Sequence, residues 1–205
     1  MNYSTGFLAK LKEFEGSFTH MYLDTKGYVT VGVGHLLSSA AVAAGLAFDI
    51  TREAAADPKA PKPALPGKVE KATAEEIKKD YAEVSKQTKG LKAAAYAKYT
   101  KVRLPQTVID SLLQGDLDDV ASGVRSKFAK FDSWPQAAQE AVLDMAFNMG
   151  TNFFASWPNF KKAIEGQDWD TASKECTSSD IQKSRNDWRQ QQFKDAAAAK
   201  PKATK

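Results

Sequence analysis

Residues 13–37 read EFEGSFTHMYLDTKGYVTVGVGHLL, and how that run is divided decides the fold. It carries three acids, a glycine-rich segment and both histidines of the chain. Its first part closes a helix that begins upstream. Ser4 or Thr5 can cap that helix, Phe7, Leu8, Leu11 and Phe14 recur at helical spacing, and Gly16 supplies a stop. Its second part changes period. MYLD (21–24) and GYVTVGVGH (27–35) are β-branched and aromatic runs around Thr25, Lys26 and Gly27, which predicts a β-hairpin.

Outward from this hairpin, residues 38–51 are alanine-rich and ambiguous, and DPKAPKPALPGK (57–68), with four prolines, reads as a surface loop. Thr73 and Glu76 form a T-x-x-E capping box for a helix through about residue 87, and a second helical stretch follows Pro105. A third begins at Ser133, where S-x-x-Q resembles another capping box ahead of AAQEAVLDMAFNMG. There Ala138, Ala141, Val142, Met145, Ala146 and Met149 form a core face and Gly150 a stop. Shorter helices are expected at 158–164, from Asp168 onward and at 185–193, with a frayed tail after them. Strands and helices are segregated rather than alternating, so the class is α+β.

With 205 residues, 42% hydrophobic and 26% charged, the chain is long enough to bury a core and is not of disordered composition. A net charge of +4 favours an anionic partner, yet the lysines are dispersed, which argues for a solvated surface over a nucleic-acid interface. No apolar run is long enough to span a bilayer, and the N-terminal residues lack a signal-peptide h-region. Synthesis in the cytoplasm is the expectation. The single Cys176 excludes an intramolecular disulfide and has no histidine near it in sequence to make it a nucleophile. No Cys/His/Asp cluster has metal-ligand spacing, and GVGH lacks the third glycine of a dinucleotide fingerprint.

Chemistry points back to residues 13–37. At about 100° per residue Glu15 falls within the stripe of Phe7, Leu8 and Leu11, while Glu13 faces water. A carboxyl against apolar neighbours retains a proton more readily, as a general acid must. Asp24 ends a strand in a polar turn, where a carboxylate stays ionised. Alternation puts Val29, Val31 and Val33 on one face and Thr30, Gly32 and Gly34 on the other. That second face would be an open groove floor, with His20 lining it between the carboxylates. Two carboxyls beside a groove are the minimal apparatus for glycoside hydrolysis. Taken singly, Glu15 also reads as a salt-bridged helix end, Asp24 as a turn former and Thr30 as an ordinary strand residue.

Taken together they form a recognisable pattern. Glu15-Gly16, then Tyr22-Leu23-Asp24, Gly27, Thr30, Gly32, Gly34 and His35 resemble the signature of the phage-type lysozymes, glycoside hydrolase family 24. FDSWPQAAQEAVLDMAFNMG (131–150) resembles that family's central helix, with Asn148 where the family has glutamine, and SRNDWRQQQF (184–193) is similar to its C-terminal Arg and Phe pair.

The resemblance implies a lysozyme-like fold, with a small β-hairpin lobe and a larger helical lobe. It also implies cleavage of the β-1,4 bond between N-acetylmuramic acid and N-acetylglucosamine without a cofactor or metal. Glu15 would be the general acid, with Asp24 and Thr30 positioning water for an inverting displacement. Gly32, Leu36, Phe147 and Asn148 would bind substrate, and Arg185 would pair with Glu15. His35 would be structural; the position facing it on the following helix, counted from Thr73, holds Val84, with Glu83 adjacent. The expected organisation is a catalytic domain over 1–195, with the loop at 57–68 and an enlarged helical insertion over 86–130, then a flexible tail at 196–205. The partner would be peptidoglycan glycan strands, met as a monomer after holin- or secretion-system-mediated delivery to the periplasm. If the chain is an antibacterial effector, an immunity protein plugging the cleft is its natural inhibitor. A catalytically silent wall-binding module and a lytic transglycosylase of the same fold are the alternatives.

Overall fold

In the computed structural model, which describes residues 2–52 and 67–199, helix α1 (Thr5–Glu15) starts as its sequence requires. Ser4 Oγ accepts a hydrogen bond from the Phe7 amide at 3.0 Å and donates to Glu140 at 3.0 Å, so the cap also ties the N-terminus to the interior. The chain divides into two compact units, Met1–Phe14 with Gly115–Lys205, and Glu15–Gln114. The architecture is α+β, with the sheets in the second unit.

Unit Glu15–Gln114 opens on a sheet of strand order β1-β2-β3, made of β1 (Phe18–Leu23), β2 (Val29–Gly32) and β3 (His35–Leu36). The expected hairpin is present, but its second strand is not continuous over 27–35. Gly32 (φ +65°) and Gly34 (φ +79°) adopt the left-handed backbone open to glycine, reverse the chain and pair β3 back onto β2, with Thr30 opposite Leu36. Val29, Val31 and Val33 are buried, as alternation requires.

Two further helices follow. They are α2 (Ala40–Ala44), capped by Ser39, and α3 (Ala74–Ser85), which carries the reciprocal Thr73–Glu76 capping box. A second sheet, unforeseen in sequence, has the order β5-β4-β6 from β4 (Asp49–Arg52), β5 (Lys68–Lys71) and β6 (Val102–Arg103). Most of the proline-rich loop lies outside the described residues, although Lys68, expected in it, already belongs to β5. Nor is the 86–130 stretch simply helical. A 3-10 turn (Ala93–Tyr99) and β6 precede α4 (Gln106–Arg125). Asp80 of α3 organises that stretch, accepting hydrogen bonds from Thr100 Oγ1 and the Val102 amide, both at 2.8 Å.

The other unit is helical, with α5 (Gln136–Met149), α6 (Pro158–Glu165), α7 (Trp169–Glu175) and α8 (Lys183–Ala199). The Ser133 capping box does not form. Pro135 occupies the cap position of α5, and Ser133 Oγ donates instead to the Lys130 carbonyl at 2.7 Å, ending a 3-10 turn. The helix expected from Asp168 onward is present as α7, with Asp168 capping it by accepting from the Thr171 amide at 3.1 Å. The first four positions of the expected tail, 196–199, are helical, and the rest of it lies outside the described residues. Helix α8 continues to Ala199 because its alanines are strong helix formers and Ala196 is buried beside the core. That core is aromatic, with Phe160 edge-on to Phe193 at 5.6 Å and Trp134 edge-on to Trp169 at 5.4 Å.

Candidate active site

The sequence-predicted acid and its partners begin at the end of α1. Glu15 is half-buried, Glu13 is exposed, and Gly16 follows with φ +80°. A side chain at Gly16 would collide with Phe18, whose Cε2 lies 2.6 Å from the position of an added Cβ. The glycine lets the chain turn from helix into β1 directly after the acid. Gly16→Ala is expected to cost about 1–3 kcal/mol of stability from left-handed backbone strain and this contact, read as a fall in thermal unfolding temperature.

Asp24 is set by its turn. Its Oδ1 accepts the amides of Lys26 (2.9 Å) and Tyr28 (2.8 Å), while Gly27 N–H donates to the Asp24 carbonyl at 3.0 Å. Both side-chain bonds fall on Oδ1, so among the described residues no hydrogen bond engages Oδ2. Across β1 and β2, Tyr22 pairs with Thr30 and Leu23 with Val29, which brings Thr30 beside the strand end that carries Asp24. Thr30 Oγ1 donates to the Tyr28 carbonyl at 3.1 Å and keeps its lone pairs for an incoming donor.

Tyr22 joins these groups. Burial pushes its phenol up to about 12 against a backbone hydrogen bond with Gly34, and the charges of Glu15 and Asp24 push in the same direction. A single buried phenol therefore senses both carboxylates while standing opposite Thr30. Tyr22 belongs to the quoted motif but was assigned no role; its position across from Thr30 is the signal that could have marked it.

The open floor expected of Thr30 and the two glycines is only partly present. Thr30 and Gly32 are buried, and Ile109 of α4 fills the space over Gly32, its Cγ2 lying 3.1 Å from the position of an added Cβ. Gly34 is exposed, with nothing within 4 Å of the position of an added Cβ, and Leu36 is exposed as well. The accessible edge thus runs along Gly34 and Leu36 rather than Gly32.

His20 is a structural residue of β1, not a groove-lining one. It is buried edge-on against Phe18, with Nε2 2.9 Å from the Ala93 carbonyl, which fastens the 3-10 turn to the sheet. Burial, and then the charge of Arg103, lower its pKa from 6.5 despite the Ala93 bond. The folded state therefore holds neutral histidine while the unfolded chain protonates first, and stability is present above pH 6.5 and lost as pH falls below it. His20→Gln is expected to flatten that part of a denaturation-against-pH profile. Val84 is buried in the core, so it offers His35 no charge, and Glu83 is engaged by Lys86 at 3.0 Å.

In the helical unit, Arg185 is buried and clamps Asp144 through Nε (3.1 Å) and Nη2 (2.8 Å). Arg189, one turn on, meets the same carboxylate through Nε at 2.5 Å, and its Nη2 reaches Asn148 Oδ1 at 3.4 Å. The Arg185 guanidinium also lies 5.2 Å from the ring of Phe14, the residue before Glu15 in sequence. Asp144 and Arg189 went unrecognised. An acid inside the apolar run AVLDMAF, and a second arginine four residues after Arg185, were the available signals. Asn148 is exposed and Phe147 half-buried, so both present surface at the end of α5.

Surface recesses of about 410 and 360 Å³ are lined around Trp157 and around Phe128, and neither includes a sequence-predicted site residue. Cys176 is buried, its thiol pushed up to about 12 by that burial, which leaves it no thiolate for nucleophilic work. Among the described residues no three His, Cys, Asp or Glu side chains form a metal-holding group, and no helix is long and apolar enough to cross a membrane. No protein-family model matches the chain, and no curated protein matches it in sequence.

Proposed function

We propose that this chain is a peptidoglycan muramidase that hydrolyses the β-1,4 bond between N-acetylmuramic acid and N-acetylglucosamine, as its resemblance to phage-type lysozymes implies. The observation that supports the reading is that Tyr22, paired with Thr30 across β1 and β2, feels the charges of both Glu15 and Asp24. Glu15 is the general acid, protonating the leaving glycosidic oxygen. Asp24, with Oδ2 uncommitted, accepts a proton from water, and the Thr30 hydroxyl oxygen accepts the second hydrogen of that water. Water so held attacks the anomeric carbon, the glycosidic bond breaks, and the aglycone leaves with the proton from Glu15. Leu36 offers an apolar surface against the sugar at the open edge. The wall of a host or target bacterium is the substrate, reached after delivery by a holin or a secretion system.

Mass spectrometry of soluble products from purified peptidoglycan tests the reading. Reducing-end N-acetylmuramic acid is the expected product. Anhydromuramic ends would reassign the chain as a lytic transglycosylase, and absence of any product from folded protein that still sediments with the wall would leave a binding module.

A further inference from the structure

The stretch KQTKGLKAAAYAKYTKVR (86–103) has six cationic residues and no acid. Hydrolysis as described above gives it no task, yet it is held against the strand that leads to Asp24. The Tyr96 hydroxyl, fully buried, donates to the Thr88 carbonyl at 2.7 Å, and the bond between His20 and the Ala93 carbonyl fixes the 3-10 turn on β1. Arg103 is spent internally, donating to the carbonyls of Ala97, Thr100 and Val102. Lys86 is paired with Glu83. Lys89 is not spent in this way. Its aliphatic stem lies on the turn after Asp24, with Cδ 3.4 Å from the position of an added Cβ on Gly27. Lys26 in that turn, Lys89 and Lys92 are all exposed, and none has a carboxylate within ion-pair reach among the described residues.

A glycan of N-acetylglucosamine alone presents nothing for these cations. Peptidoglycan differs in bearing a peptide on the lactyl group of each muramic acid, and that peptide carries several carboxylates close to the sugar chain. We propose that Lys26, Lys89 and Lys92 form a cationic rim that binds the stem-peptide carboxylates of peptidoglycan beside the Asp24 turn, selecting peptide-bearing glycan over bare glycan. This rests on the muramidase reading and specifies the substrate that site prefers. The pinned backbone matters because a rim already ordered in the free protein loses less freedom on binding than a mobile loop would.

The test compares wild type with a K26Q/K89Q/K92Q variant on intact peptidoglycan and on the same glycan stripped of stem peptides by an amidase, which leaves each muramic acid with its single lactyl carboxylate in place of the several carboxylates of the peptide. All three positions are exposed, and circular dichroism with thermal unfolding verifies the fold. The ratio of kcat/KM on intact to stripped glycan is expected to fall roughly tenfold, the sum of a few screened ion pairs, with the change in KM and with weaker salt dependence than wild type. The triple lysine-to-arginine variant should restore the ratio. An unchanged ratio overturns the rim. Sedimentation with intact sacculi, using the E15Q protein with and without the lysine changes, separates the two claims. Lysine-dependent sedimentation together with no cleavage by wild type would sink the muramidase reading and keep the rim. Cleavage by wild type with lysine-independent sedimentation would do the reverse. Tight, lysine-dependent binding of a DNA or RNA oligonucleotide with an unchanged glycan ratio would overturn the rim in favour of a nucleic-acid surface.

Discussion

Glu15→Gln is expected to slow release of soluble fragments from purified peptidoglycan by about 10²- to 10⁴-fold, the range that general acid catalysis contributes. Glutamine keeps the size of the side chain and cannot donate a proton to a leaving oxygen. The half-buried end of α1 tolerates it, so thermal unfolding should move little while turnover collapses. Asp24→Asn should act alike for a different reason. An amide oxygen can still accept the Lys26 and Tyr28 amides that Oδ1 now accepts, so the turn persists while the acceptor for the proton of water is gone. A wild-type rate in either variant would remove that residue from the proposed chemistry.

The second large effect is on stability. Asp144→Asn is expected to cost about 3–5 kcal/mol, because it takes from the fully buried Arg189 guanidinium the carboxylate that balances it. Arg189 is fully buried, its Nη1 has no hydrogen-bond partner, and beyond Asp144 only the neutral Asn148 Oδ1 at 3.4 Å accepts from it, so no second carboxylate among the described residues replaces the lost charge. Burial already lowers its pKa, with Asp144 pulling in the opposite direction. Urea unfolding monitored by tryptophan fluorescence measures the loss. Adding R189M to D144N should recover part of it, since the buried charge that Asp144 balanced is then removed. A D144N protein as stable as wild type would show that Asp144 is not what keeps the arginines buried.

Sequence reasoning succeeded where a local rule and its context agree. Thr73 and Glu76 form their capping box because nothing interrupts it; Ser133 and Gln136 match the same pattern and fail because Pro135 takes the cap. The hairpin was legible from the valines at 29, 31 and 33, but β3 was hidden because glycines that support a strand face also permit the reversal that ends it. The second sheet was hidden for another reason. Segments such as KVEK are short, largely exposed and charged, and only pairing with β4 makes a strand of them. In the candidate site, Glu15, Asp24 and Thr30 were marked by their resemblance to a family signature. Ile109 over Gly32 was not, because it comes from a helix more than seventy residues away, and periodicity does not report such contacts.

The hydrogen bonds of the Asp24 turn bear on when the cost of order is incurred. Two backbone amides fix Oδ1, so the torsional freedom of this carboxylate is surrendered during folding and not when substrate arrives. In the proposed hydrolysis, the reorganisation that a mobile carboxylate would undergo at each turnover would thereby be absent from the activation barrier. Lengthening the side chain by one methylene would give that freedom back. The tight turn, which reverses the chain, would in the proposed reaction also move entropy out of the catalytic cycle.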